Sequence, residues 1–68
     1  MLNVELDIEK YPGAIFVLYD MLGREISINR LVSGQTSIDI QTIQPGNYLY
    51  EIRDSNGEKL TQGKIVKL

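Results

Sequence analysis

Apolar and polar residues alternate with a period of two along most of this chain, and that pattern excludes a helical fold. Leu2, Val4, Leu6 and Ile8 alternate with Asn3, Glu5, Asp7 and Glu9. Such alternation places each set on its own side of an extended chain, so residues 2–9 read as a half-buried strand. Lys10-Tyr11-Pro12-Gly13 supplies a turn, because Pro pre-sets φ and Gly accepts a positive one. Ala14-Ile15-Phe16-Val17-Leu18-Tyr19 is apolar on both faces and rich in β-branched and aromatic residues. A run that short reads as a central strand over 14–20, covered on both sides.

Four further strands follow the same logic. Asp20-Met21-Leu22-Gly23 reads as a turn closed by a left-handed Gly, leading into a strand over 24–28 with Ile26 and Ile28 inward. Residues 29–35 read as a crossover. A strand over 36–40 then turns Ile38 and Ile40 inward, and 41–46 form a corner. Tyr48, Tyr50 and Ile52 share one face of a strand over 47–53. Asp54-Ser55-Asn56-Gly57 reads as a hairpin turn on the strength of Asn-Gly, and the last strand covers 58–67. Gly63 interrupts that strand, which suggests a bulge. Short strands with turn signals roughly every 8–12 residues are the pattern of an all-β sandwich. The expectation is a single domain over 1–68, an immunoglobulin- or fibronectin-like β-sandwich of six to seven short antiparallel strands.

The corner is the most specific local feature. Ile43-Gln44-Pro45-Gly46-Asn47-Tyr48 has the spacing of a tyrosine corner, in which a Tyr folds back to hydrogen-bond backbone just upstream. A buried Tyr needs a partner of this kind for its hydroxyl. Tyr48 is therefore expected to lock the passage between the sheets.

Composition removes several functions. With no Cys and no His, the chain has no disulfide, no zinc site of the usual kind and no Ser-His or Cys-His nucleophile. A net charge of −2 lacks the basic excess of a nucleic-acid binder. No apolar run approaches the ~20 residues that span a bilayer. Glu5, Asp7 and Glu9 read as a solvated acidic row rather than a calcium site, and no phosphate-binding Gly motif is present. No cofactor is expected and no catalytic residue is assigned. Acidic residues gather before position 21 and cations after position 52. That segregation reads either as two strand faces paired across a sheet or as a basic end that meets a receptor.

Three stretches together resemble the type A C-terminal sorting domain of the type IX (Por) secretion system of Bacteroidetes. Val17-Leu18-Tyr19-Asp20-Met21-Leu22-Gly23-Arg24-Glu25 is similar to that family's Tyr-Asp-x-x-Gly-Arg-Glu segment. Thr36-Ser37-Ile38-Asp39-Ile40, followed by Ile43 to Tyr48, resembles its strand and Gly-x-Tyr segment. Gly57-Glu58-Lys59 and Lys64-Ile65-Val66-Lys67-Leu68 resemble its terminal segment. The structural motif residues carried by the resemblance are Tyr19, Asp20, Gly23, Pro45, Gly46, Tyr48 and Gly57. Family members usually open with Tyr-Pro-Asn-Pro as a first strand. Here only Tyr11-Pro12-Gly13 occurs, between two strands, so the first of seven strands is expected to be missing. Its absence would leave an open edge, to be filled by a second copy as an edge-strand homodimer or by an upstream segment.

The resemblance implies a non-catalytic sorting signal fused behind an upstream cargo. Its partners would be the type IX translocon, an outer-membrane shuttle protein and a sortase-like protease. The cargo would pass through the periplasm to the cell surface or the medium. Lys64, Ile65, Val66 and Lys67 are the recognition residues this suggests, through β-augmentation of the last strand. The same lysines read equally well as gatekeepers against edge aggregation. The alternative function is a generic immunoglobulin-like binding or adhesion module of a surface protein.

Overall fold

The computed structural model describes residues 2–68. Among these residues six strands form: β1 (Leu2–Glu5), β2 (Ile15–Asp20), β3 (Glu25–Arg30), β4 (Gln35–Ile38), β5 (Gly46–Arg53) and β6 (Lys59–Lys67). They make two antiparallel sheets, one of two strands in the order β1-β4 and one of four in the order β3-β2-β5-β6. No helix among the described residues is long and apolar enough to cross a membrane.

The core lies between the sheets. Val4 and Ile38 from the small sheet meet Phe16, Leu18, Tyr48 and Ile52 from the large one, and Ala14 and Leu31 close the cluster. The Phe16 and Tyr50 rings stack with centroids 5.4 Å apart. Burying a side chain such as Phe16 contributes about 1.5–3 kcal/mol. A domain of this size commands only about 3–5 kcal/mol in total, so each of these contacts matters. The chain changes sheet three times, between β1 and β2, between β3 and β4, and between β4 and β5. The last two changes fall in the segments whose length and turn residues predicted them. Leu31 sits inside the second, only 2% exposed, with its N–H bonded to the Ala14 carbonyl at 3.0 Å.

Both hairpins of the large sheet are built alike. Asp20 Oδ1 accepts the N–H groups of Leu22 and Arg24, each at 2.9 Å. Asp54 Oδ1 accepts those of Asn56 and Glu58, also at 2.9 Å. The loops close on Gly23 (φ 85°) and Gly57 (φ 82°), while no non-Gly residue has positive φ. Asn56 is therefore not left-handed, and the second hairpin is not the two-residue Asn-Gly turn. Its loop has three residues and is organised by the Asp carboxylate, as in the first.

Several boundaries differ from expectation. The first strand ends at Glu5 rather than at residue 9, because the chain turns at Asp7, whose carbonyl accepts the Tyr11 N–H at 3.0 Å. Asp7 and Glu9 consequently leave the strand, and the acidic row dissolves. β1 pairs with β4 and not with β6, so the acidic and basic ends do not meet across a ladder. Ile26 and Ile28 are 41% and 54% exposed, not inward. Register shifts between Leu18 and Tyr19 leave Ile26 as an extra residue, and Ile28 stands opposite Val17 on the outer face. No bulge occurs at Gly63, which pairs in register with Tyr50; the β5–β6 irregularity lies between Ile52 and Arg53.

Candidate recognition surface

The two sides of the large sheet do different work. Phe16, Leu18, Tyr48, Tyr50, Ile52 and Ile65 face the small sheet. Ile15, Val17, Tyr19, Ile28, Leu49, Glu51, Lys64 and Val66 alternate with them and lie on the outer face. Strand pairing thus splits the four residues expected to mediate recognition. Lys64 and Val66 stand exposed on the outer face, opposite Leu49 and Asn47. Ile65 turns inward beside Tyr48 and packs on the core.

Lys67 also turns inward, and its ammonium is fully engaged. Lys67 Nζ donates to the carbonyls of Ile40 (2.7 Å), Gln41 (3.0 Å) and Ile43 (2.6 Å). These belong to the corner between β4 and β5, and an ammonium has three donors to satisfy them. Sequence reasoning did not anticipate this clamp. A lysine at the end of an alternating strand reads the same whether it meets water or three carbonyls.

Tyr48 occupies the same corner. Its hydroxyl donates to the Gln44 carbonyl at 2.5 Å, four residues upstream, as the tyrosine-corner spacing predicts. Pro45 precedes Gly46, whose φ of 149° an L side chain rarely adopts. Replacing Tyr48 with Phe strands the buried side of that carbonyl and is expected to cost about 1 kcal/mol. Urea unfolding checks this; an unchanged midpoint would show that the hydroxyl does not hold the corner.

Tyr19, on the outer face, joins a charged cluster. Arg53 Nη2 reaches Glu51 Oε1 at 2.9 Å and Lys59 Nζ reaches Glu51 Oε2 at 3.9 Å. A hydrogen bond from Tyr19, aided by Arg53, holds the Glu51 carboxyl below its ordinary value of 4.5. Asp20 is held below 3.8 chiefly by the Arg24 N–H, with the Arg24 guanidinium adding a 2.7 Å contact. Both groups have folded values depressed below the unfolded ones. Their stabilisation is therefore present above about pH 4.5 and is lost as pH falls through the depressed values. The melting temperature should hold from pH 7 to about 5 and decline below about 4.5. Asp20→Asn with Glu51→Gln should flatten that decline, and an equally steep fall in the double variant would refute the assignment.

The open side of the sandwich lies between β1 and β6. A groove of about 370 Å³ runs there, lined by Leu2, Val4, Phe16, Tyr50, Ile52 and Ile65 among others. β4 covers one edge of β1, and Leu6 N–H continues that pairing to the Gly34 carbonyl at 2.9 Å. The other edge of β1 is free and borders the groove.

Comparison with known proteins decides the family. Residues 1–67 match the secretion system C-terminal sorting domain. The chain belongs to this family, the sorting domains of type IX secretion. No curated protein and no solved structure gives a significant match. The matched span takes in the Asp20 hairpin, the Tyr48 corner and the terminal strand. A type IX sorting domain acts as a C-terminal sorting signal and so interacts with the secretion system. The family is not one known for catalysis.

Proposed function

We propose that this sorting domain carries an upstream cargo through the outer membrane to the cell surface or the medium, passing through the periplasm on the way. The domain is the object of the machinery and performs no chemistry. The translocon and an outer-membrane shuttle read it, and a sortase-like protease removes it. The family match over nearly the whole chain carries this reading. The free edge of β6 and the outward Lys64 and Val66 offer the contact surface, with β-augmentation as the mode. Lys67 serves this contact indirectly by holding the strand end. The free edge of β1 takes an added strand, from an upstream segment or a second copy.

A reporter placed between a signal peptide and residues 1–68 tests the proposal in a host competent for type IX export. The reporter should reach the surface or the medium, and remain in the periplasm when the translocon is removed. Translocon-independent release would sink the proposal. Deleting residues 64–68 is a poor probe, since it removes the Lys67 clamp along with the exposed side chains. Lys64→Glu separates recognition from folding.

A further inference from the structure

The charges of this chain are sorted by face. Register puts Arg30, Arg53, Lys59 and Lys64 on the outer face of the large sheet, against the carboxylates of Glu25 and Glu51. Glu51 is already paired with Arg53 and Lys59, whereas among the described residues Arg30 and Lys64 have no ion pair. Opposite them, the small sheet and its flanking turns carry Glu5, Asp7, Glu9 and Asp39, with Lys10 alone to offset them. A chain of net charge −2 thus presents a basic face.

That face also exposes apolar side chains from one edge of the sheet to the other. Ile28, Leu49 and Val66 are 54%, 40% and 58% exposed on three different strands. Tyr19, Leu49, Glu51, Gln62 and Lys64 line a depression of about 600 Å³. Exposed apolar residues rimmed by polar and charged ones are the usual anatomy of a recognition patch. A second copy could offer its acidic face in return. That contact would be head to tail, however, and such contacts tend to run on into open fibres rather than close.

We propose that the outer face of the large sheet, which exposes Ile28, Leu49 and Val66 across β3, β5 and β6 beside Arg30 and Lys64, docks onto an acidic protein surface of the secretion machinery that carries apolar side chains of its own. This rests on the sorting reading and extends it from the last strand to a whole face. Complementary charge sets encounter and register, and reversing it penalises the contact.

The test uses the same reporter fusion with Lys64→Glu, Arg30→Glu, the conservative Lys64→Arg, and Glu9→Lys in a turn that flanks the small sheet. Exported reporter should fall about tenfold or more with each reversal, and stay at the parent level with Lys64→Arg and Glu9→Lys. The purified variants should melt with the parent. Equal export from every variant would overturn the inference while leaving the sorting function intact. A parent fusion that ignores the translocon would overturn both. Loss of export matched by a fall in melting temperature would assign the residues to the fold and overturn it too. So would Lys64-dependent, salt-sensitive self-association in the ultracentrifuge, which would give the face to a second copy. Lys64-dependent binding to vesicles of mixed phosphatidylcholine and phosphatidylglycerol would give it to a membrane instead.

Discussion

Replacing Lys67 with Met should destabilise the domain by about 2–3 kcal/mol, a fall of about 10–20 °C in melting temperature. The methionine keeps the apolar stem but removes the ammonium that satisfies the Ile40, Gln41 and Ile43 carbonyls. Hydrogen bonds to a charged donor contribute about 1.5–3 kcal/mol, and a partly buried acceptor left bare adds its desolvation penalty. Lys67→Arg should recover only part of the loss, because a planar fork cannot meet three carbonyls arranged around a point charge. Denaturant unfolding gives the magnitude, and hydrogen exchange gives the place. Protection should fall first between residues 39 and 48, where Tyr48 holds the same corner. A Met variant as stable as the parent would show that the clamp contributes nothing.

Replacing Gly63 with Ala should cost a similar amount, about 2 kcal/mol, through overpacking. A Cβ at Gly63 would overlap Tyr50 Cε2 and lie 2.6 Å from its Cζ. The Tyr50 ring can yield only by leaving its stack on Phe16, the side chain at the centre of the core. The cost should depend on that ring. In Tyr50→Leu, which leaves room above residue 63, the added Ala should be nearly neutral. A double-mutant cycle reads this coupling directly. If Gly63→Ala were as costly with Leu at position 50, the cause would lie in the backbone of β6 and not in the ring.

Lys67 and Gly63 mark the limit of what alternation can tell. The strands, the two Asp-x-x-Gly hairpins and the tyrosine corner all follow from residues close together in the chain. Their spacing therefore shows them: apolar residues two apart, Gly closing a turn, Tyr three residues after Pro. Gly63 is different. A glycine inside a strand suggests a bulge, and only the position of Tyr50 on β5 shows that Gly63 makes room for a ring instead. Ile26 and Ile28 misled for a related reason. Two isoleucines two apart mark an inward face, yet the register shift beside Leu18 leaves Ile26 unpaired and Ile28 on the outside.

By itself, the sequence of this sorting domain determined its extended strands, its hairpins, its Tyr48 corner and its family motifs, because each is written in short-range spacing. The tertiary structure alone decided that Ile28 of β3 faces outward and that Phe16 and Leu18, not Val17, line the core between the sheets. It also decided that Lys67 belongs to the fold, and that four cations distant in sequence share one surface. Those outcomes depend on pairing between residues far apart in the chain, and a one-residue change of register would reverse every face.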